Sequence, residues 1–462
     1  MTARLKATLV AAILFALPAL APAADPAYAS TYRAPASGPV LIRNATVLDG
    51  NGQRLDGADV LMREGRIVAV GAGLQAGDAS VVDGQGKWVT PGIIDVHSHL
   101  GVYPSPGATA HSDGNEITSP VTAQVWAEHG VWPQDPGFGA ALAGGVTTMM
   151  VLPGSANLIG GRGVVLRNVA ATTMQEMKYP GAPHSVKMAC GENPKRVYGG
   201  RGQSPMTRMG NLAGYRAAFA EAQAYRRKWD AYDASQSSSG GRAKKGEPAA
   251  EPPARDLRMD TLADVLRGEI TVQIHCYRAD EMALMLDLAK EFGFKIAAFH
   301  HGVEAYKLAD RLAEENVCGA LWADWWGFKM EAYDGIQENI ALVDRPENGC
   351  AIVHSDSSEG IQRLNQEAAK VMARGERVGL SLPPERAIRW LTSNAARAIG
   401  IADSTGSLDK GKRADVVVWN GNPFSVYAQA ERVYLDGALV YDRKDRARQP
   451  VTDFMLGQEV AP

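Results

Sequence analysis

The sequence predicts an α/β protein, a (β/α)8 TIM barrel carrying a small β domain assembled from both ends of the chain. Three observations predict it. Residues 38–90 read as short strands broken by Gly, Asn and Asp, in VLIRNATVLDG, ADVLMREGRIVAVG and ASVVDGQGKWVTPG. Over 91–400 apolar strands alternate with helical segments, as where TVQIHCYRAD precedes EMALMLDLAKEFG. That is the rhythm of a parallel sheet closed by helices, at a length that suits a barrel with insertions. Strand-like text returns over 401–445 in GSLDKGKRADVVVWNGN and AERVYLDGALVYD. Two strand-rich ends flanking one α/β body can pair into a discontinuous domain.

The 462 residues, 45% hydrophobic and 21% charged, can bury a large core and stay soluble. A net charge of −3 without a long basic run gives no footprint for nucleic acid. Residues 1–23 carry Arg4, Lys6, an apolar run and small residues around Ala21-Pro22-Ala23, the pattern of a cleaved signal peptide. A periplasmic or secreted protein is therefore expected, with no membrane contact after cleavage. Residues 226–255 include ASQSSSGGRAKKGEPAAEPPAR, which is too polar to bury a core and reads as a mobile insertion in the barrel. Cys190, Cys276, Cys318 and Cys350 are widely spaced in a chain long enough not to need disulfides, and are read as buried free thiols.

The sharpest chemical signal is VTPGIIDVHSHL. Alternate residues of a strand share a face, so His97 and His99 stand side by side at its end, where two imidazoles can hold one divalent metal. On spacing alone, two surface histidines are the commoner explanation of the pair, and the whole phrase reverses that preference. The whole phrase, following a strand-rich leader, resembles the amidohydrolase superfamily in its imidazolonepropionase-like branch. LTSNAARAIGI, GSLDKGKRADVVVWNGNP and VYLDGALVYD extend the resemblance to nearly the whole mature chain.

The resemblance implies a β-sandwich beside the barrel and metal-assisted hydrolysis of C–N bonds, with one or two divalent ions, zinc expected. It implies further ligands in His275 of VQIHCYRADE, His301 of AAFHHG and Asp356 of VHSDSSEG, with Asp356 also the general base. His300 is expected to point away from the site. His354 can line the pocket or sit in the core. The strand holding KMACGENPKRVYG departs from the commonest pattern of the branch, in which a carboxylated lysine bridges two metals. Matching MACG to that pattern puts Lys187 one place out of register, on the opposite face of the strand. Glu192 is then favoured as the bridge, with carboxylated Lys187 as the alternative.

Substrate contacts are expected from Arg162 and Tyr198, with Lys195 and Arg196, on loops that follow barrel strands; a guanidinium suits a carboxylate. Trp325 and Trp326 read as core. The partner expected is a small molecule: an amide, a cyclic amide, or a dipeptide-like compound cleaved in the manner of a dipeptidase or carboxypeptidase. A homo-oligomer is compatible with the sequence. The competing reading is a metal-barrel protein that binds a ligand without turnover.

Overall fold

The computed structural model describes residues 28–238, 251–325 and 327–451. The expected signal peptide and Trp326 lie outside them. Five strands open the fold: β1 (Val40–Leu48), β2 (Arg54–Arg63), β3 (Arg66–Gly71), β4 (Ser80–Asp83) and β5 (Trp88–Pro91). Eight build the barrel: β6 (Ile93–Ser98), β7 (Val146–Val151), β8 (Ile159–Arg167), β9 (Ser185–Ala189), β10 (Thr271–Cys276), β11 (Ile296–His301), β12 (Cys318–Leu321) and β13 (Ala351–Val353). Three close the chain: β14 (Val416–Trp419), β15 (Ala430–Leu435) and β16 (Ala438–Asp442).

The barrel strands follow one another in sequence order from β6 to β13. Most are buried along their whole length, as strands covered on both faces must be. β8 is the exception to the all-parallel expectation, running antiparallel to both β7 and β9. Its cause is local: only residues 152–158 join β7 to β8. A parallel return needs a crossover of about a dozen residues or more, so the chain doubles back. Between β6 and β13 the barrel is fastened by Asp356 N–H donating to His97 O at 3.0 Å and the Ser355 hydroxyl donating to Asp95 Oδ2 at 2.5 Å.

The second sheet has the order β16-β15-β14-β5-β1-β2-β3, with β4 added beside β1. The two ends of the chain meet where β5 pairs antiparallel with β14. Arg167 at the end of β8 is fully buried and reaches Asp415 through both terminal nitrogens, at 2.6 and 2.5 Å, and Asp436 at 3.2 Å. This bidentate pairing ties the barrel to residues flanking the C-terminal strands.

Two expectations are corrected here. Residues 226–238 are not a mobile insertion but the last part of a helix, Arg208–Ser238. Ring contacts Tyr225–Trp229 and Trp229–Tyr232 follow helical spacing, and Tyr225 donates to Asp260 at 2.6 Å. Of the rest of the polar stretch, residues 239–250 lie outside the described residues. The cysteines are not free: Cys190 pairs with Cys276 and Cys318 with Cys350. Each bond staples neighbouring barrel strands, β9 to β10 and β12 to the start of β13. Wide sequence spacing hid pairs that strand adjacency makes close. No free thiol should be titratable in the unreduced, denatured protein. With Cys190 and Cys276 separated by 86 positions in sequence, loop closure predicts that reduction of that bond costs about 4–5 kcal/mol. Denaturant melts with and without reductant measure the loss, and coincident curves would refute the pairing.

Candidate metal centre

Six of the nine histidines converge at one end of the barrel: His97, His99, His275, His300, His301 and His354. Strand ends deliver them. His97 and His99 come from the end of β6, His275 from β10, His300 and His301 from β11, and His354 and Asp356 from just beyond β13. Two of these residues depart from ordinary backbone: φ is +70° at His301 and +51° at Asp356. Side chains other than glycine avoid that region, and such residues concentrate at functional sites. The turn at His301 also explains why His300 and His301, though consecutive, both reach the cluster. His300 is level with inward-facing His275 in the ladder, and the left-handed backbone swings His301 back toward the mouth.

A hydrogen-bonded chain fixes the tautomer of His97. Gln273 Nε2 donates to Ala398 O at 2.9 Å, which turns Gln273 Oε1 toward His300. His300 Nε2–H donates to that oxygen at 2.8 Å, leaving His300 Nδ1 bare. His97 Nδ1–H donates to it at 2.9 Å, so His97 Nε2 carries a lone pair into the cluster. His99 Nδ1–H donates to Leu152 O at 2.8 Å, which leaves its Nε2 bare as well. His300 and Gln273 thus position a candidate ligand, the arrangement typical behind metal-binding histidines. The expectation that His300 points away is corrected.

Three acceptor atoms now face one another. His97 Nε2 lies 3.3 Å from His99 Nε2, and Asp356 Oδ1 lies 3.5 and 3.2 Å from these two nitrogens. Ligand atoms about 2.0–2.1 Å from a four-coordinate centre lie about 3.3–3.4 Å apart along the tetrahedral edge. The trio has that edge. His97, His301 and His354 offer a second set within 4.8 Å. His301 Nδ1 is 3.8 Å from Asp356 Oδ2, and Nδ1 of His275 and both ring nitrogens of His354 are buried without a hydrogen bond. Burial would raise the Asp356 carboxyl, but its neighbours His99, His354 and Lys187 outweigh burial and hold it below the usual carboxylate range.

Lys187 lies inside this cluster. It sits level with Gln273 in the ladder, is 1% exposed, and places Nζ 3.4 Å from His97 Nε2 and 3.1 Å from Pro153 O. Burial takes its ammonium down to about 7. Glu192 is elsewhere. It begins the helix Glu192–Gly199, past the end of β9, and its carboxylate lies 3.4 Å from Lys329. Matching MACG to the family pattern misled the register, because Cys190 and Gly191 lie past the end of β9 and alternation holds only within the strand.

Two of the expected substrate contacts, Arg162 and Tyr198, are also placed away from the cluster. Arg162 is not on a loop but within β8, donating to Thr261 at 2.8 Å and Asp264 at 3.2 Å, with Trp126 stacked against it. Its ladder partner, Val186, belongs to the core outside the barrel. Tyr198 is fully buried, its hydroxyl donating to Ser119 O at 2.7 Å and accepting from Asn157 at 2.9 Å. Trp325 is 42% exposed rather than core.

Known proteins share this architecture. The crystal structure of an amidohydrolase from Thermotoga maritima MSB8 superposes with a TM-score of 0.77 at 36% identity, covering 87% of this chain and all of that one. The chain belongs to the amidohydrolase family. The profile described as "Amidohydrolase family" matches residues 349–451. Amidohydrolase tasK of Hapsidospora irregularis is 32% identical over 443 residues, which are 87% of this chain and 43% of that protein. A dihydroorotase of Thermoanaerobacter sp. (strain X514) is 43% identical over 61 residues, 13% of this chain and 14% of that protein. The chain therefore spans less than half the length of these two curated relatives. Amidohydrolases are metal-dependent, and the histidine cluster is a set of residues that could hold the ion.

The cluster also sets the acid behaviour of the metal-free amidohydrolase. Burial holds His97, His275, His300 and His301 well below the ordinary 6.5 and takes His354 to about 3. Below 6.5 the unfolded chain binds protons that the folded one refuses, so stability is full above that pH and drains as pH falls. Each ring contributes up to about 1.4 kcal/mol per pH unit in this window. Melting of the chelated protein should drop by several degrees between pH 7.5 and 5. A flat profile would show that the rings are not held dry.

Proposed function

We propose that this chain is an exported, zinc-dependent hydrolase of a C–N bond in an amide, a cyclic amide or a dipeptide-like molecule. The observation that carries the reading is the trio His97 Nε2, His99 Nε2 and Asp356 Oδ1, three acceptors without a proton between them at 3.2–3.5 Å. Such an arrangement is repulsive until a cation occupies its centre. His275 and His301 would hold a second ion, with His354 beside them. Lys187 would bridge the two as a carbamate, formed when its neutral amine adds to carbon dioxide and releases a proton. Its position within the cluster supports it over Glu192.

A divalent metal bound there acidifies water to a pKa of about 7 and polarises the amide carbonyl. The protein's own part is proton handling. Asp356, held ionised and 24% exposed at the mouth, accepts the proton from the attacking water and returns it to the departing nitrogen, leaving an acid and an amine. His300 and Gln273 keep His97 in the tautomer that presents Nε2. The substrate is the small-molecule partner, and neither nucleic acid nor a membrane is needed. Export is supported by two disulfides, which persist in oxidising compartments. Among the described residues no helix is long and apolar enough to cross a membrane.

The test is elemental analysis of the purified protein together with hydrolysis of a panel of dipeptides, N-acyl amino acids and cyclic amides. Near-stoichiometric metal with turnover is expected. A protein that takes up no metal on reconstitution would sink the reading.

A further inference from the structure

The loop that follows β12 carries a row of rings that begins at the histidine cluster and ends in solvent. Trp322 stacks on His301 at 4.3 Å between ring centres and 27° between planes. Its indole N–H donates to Ser355 O at 3.2 Å, so it is fixed against the segment that holds Asp356. Trp325 stacks on Trp322 at 5.0 Å and 23°, and Phe328 stands edge-on to Trp322 at 5.9 Å and to Tyr277 at 6.2 Å. Trp325 and Phe328 nevertheless remain 42% and 56% exposed. Large rings left open to water and rimmed by polar groups mark binding surfaces.

We propose that this row is a subsite for a flat ring carried by the substrate, either an aryl acyl group or the side chain of an aromatic residue beside the scissile amide. The proposal rests on the metal-centre reading above. Its support is continuity: Trp322 touches a candidate ligand, so a molecule whose amide reaches His99 and Asp356 can lay a neighbouring ring against Trp325 and Phe328. Aromatic rings meet favourably at about 4.5–7 Å between centres, the spacing already used along the row. A second copy of this chain is the competing occupant.

Two small chelators separate these possibilities. Acetohydroxamate and benzohydroxamate present the same metal-binding group, and only the second adds a ring. Binding of each to the zinc-loaded full chain would be measured by calorimetry for wild type, Trp325→Ala and Phe328→Ala; both side chains are exposed, so both variants should fold. Benzohydroxamate should bind about ten-fold or more tightly than acetohydroxamate to wild type. Each variant should cut that preference to about three-fold or less while leaving metal content and acetohydroxamate affinity unchanged. A preference that survives both substitutions overturns the subsite. So does a variant that loses self-association in sedimentation but keeps the preference, which would assign the row to an interface between copies. If neither chelator binds a protein that holds metal, the open metal centre itself is refuted and the subsite falls with it.

Discussion

Replacing Asp356 with Asn is expected to lower turnover by about 10²–10⁴-fold, the range that a positioned general acid–base supplies. The amide has nearly the shape of the carboxylate, and the main-chain hydrogen bond from Asp356 N to His97 O would remain. What it lacks is the ability to take a proton. It also offers a weaker oxygen to the trio, so metal content should fall by no more than one ion per chain. Elemental analysis and steady-state kinetics on the same preparation separate the two effects. A variant that holds a full complement of metal and loses less than about ten-fold in kcat would remove Asp356 from the proton path.

The second large effect is expected at Lys187. Lys187→Ala should reduce bound metal from about two ions to about one and cut activity by about 100-fold or more, a barrier increase of about 2.7 kcal/mol or above. The substitution opens a space at the floor of the cluster, so acetate or propionate at millimolar concentration should restore part of both metal and rate by supplying the missing oxygen pair. Glu192→Gln is the companion experiment. Glu192 lies past the strand end and contacts Lys329, so this change should leave metal content intact and alter rate by less than about three-fold. The reverse pattern would move the bridge to Glu192.

Much of this site was legible in the chain. His97 and His99 lie two apart at the end of an apolar run, and strand periodicity alone puts them on one face. The phrases around His275, His301 and Asp356 each end a strand, which is where a barrel builds its mouth. The misjudgements share a physical origin, the assumption that alternation continues where the backbone changes course. Matching MACG to the family pattern puts Lys187 on the wrong face because half of that phrase lies past the end of β9. His300 was assigned the wrong face because the left-handed turn at His301, rather than His300, breaks the alternation. Arg162 was read as a loop residue because glycines surround it, yet GGRG lies inside β8. Direction was readable there in retrospect: the few residues between β7 and β8 leave no room for a crossover. The cysteine pairs could not be found from spacing, since the adjacency of β9 with β10 and of β12 with β13 exists only in three dimensions.

The pairing of β5 with β14 also imposes a schedule on the chain as it is made. The first strands of the small sheet emerge early, and their partners emerge only after the whole barrel has been synthesised. Until then the free edge of β5 is open to other chains, and Arg167 waits for Asp415 and Asp436. An edge strand without its partner is a template for aggregation. Polypeptides cut short within the barrel should therefore be insoluble rather than partly active. Arg167 gains both of its carboxylate partners only in chains that extend past β15 to Asp436.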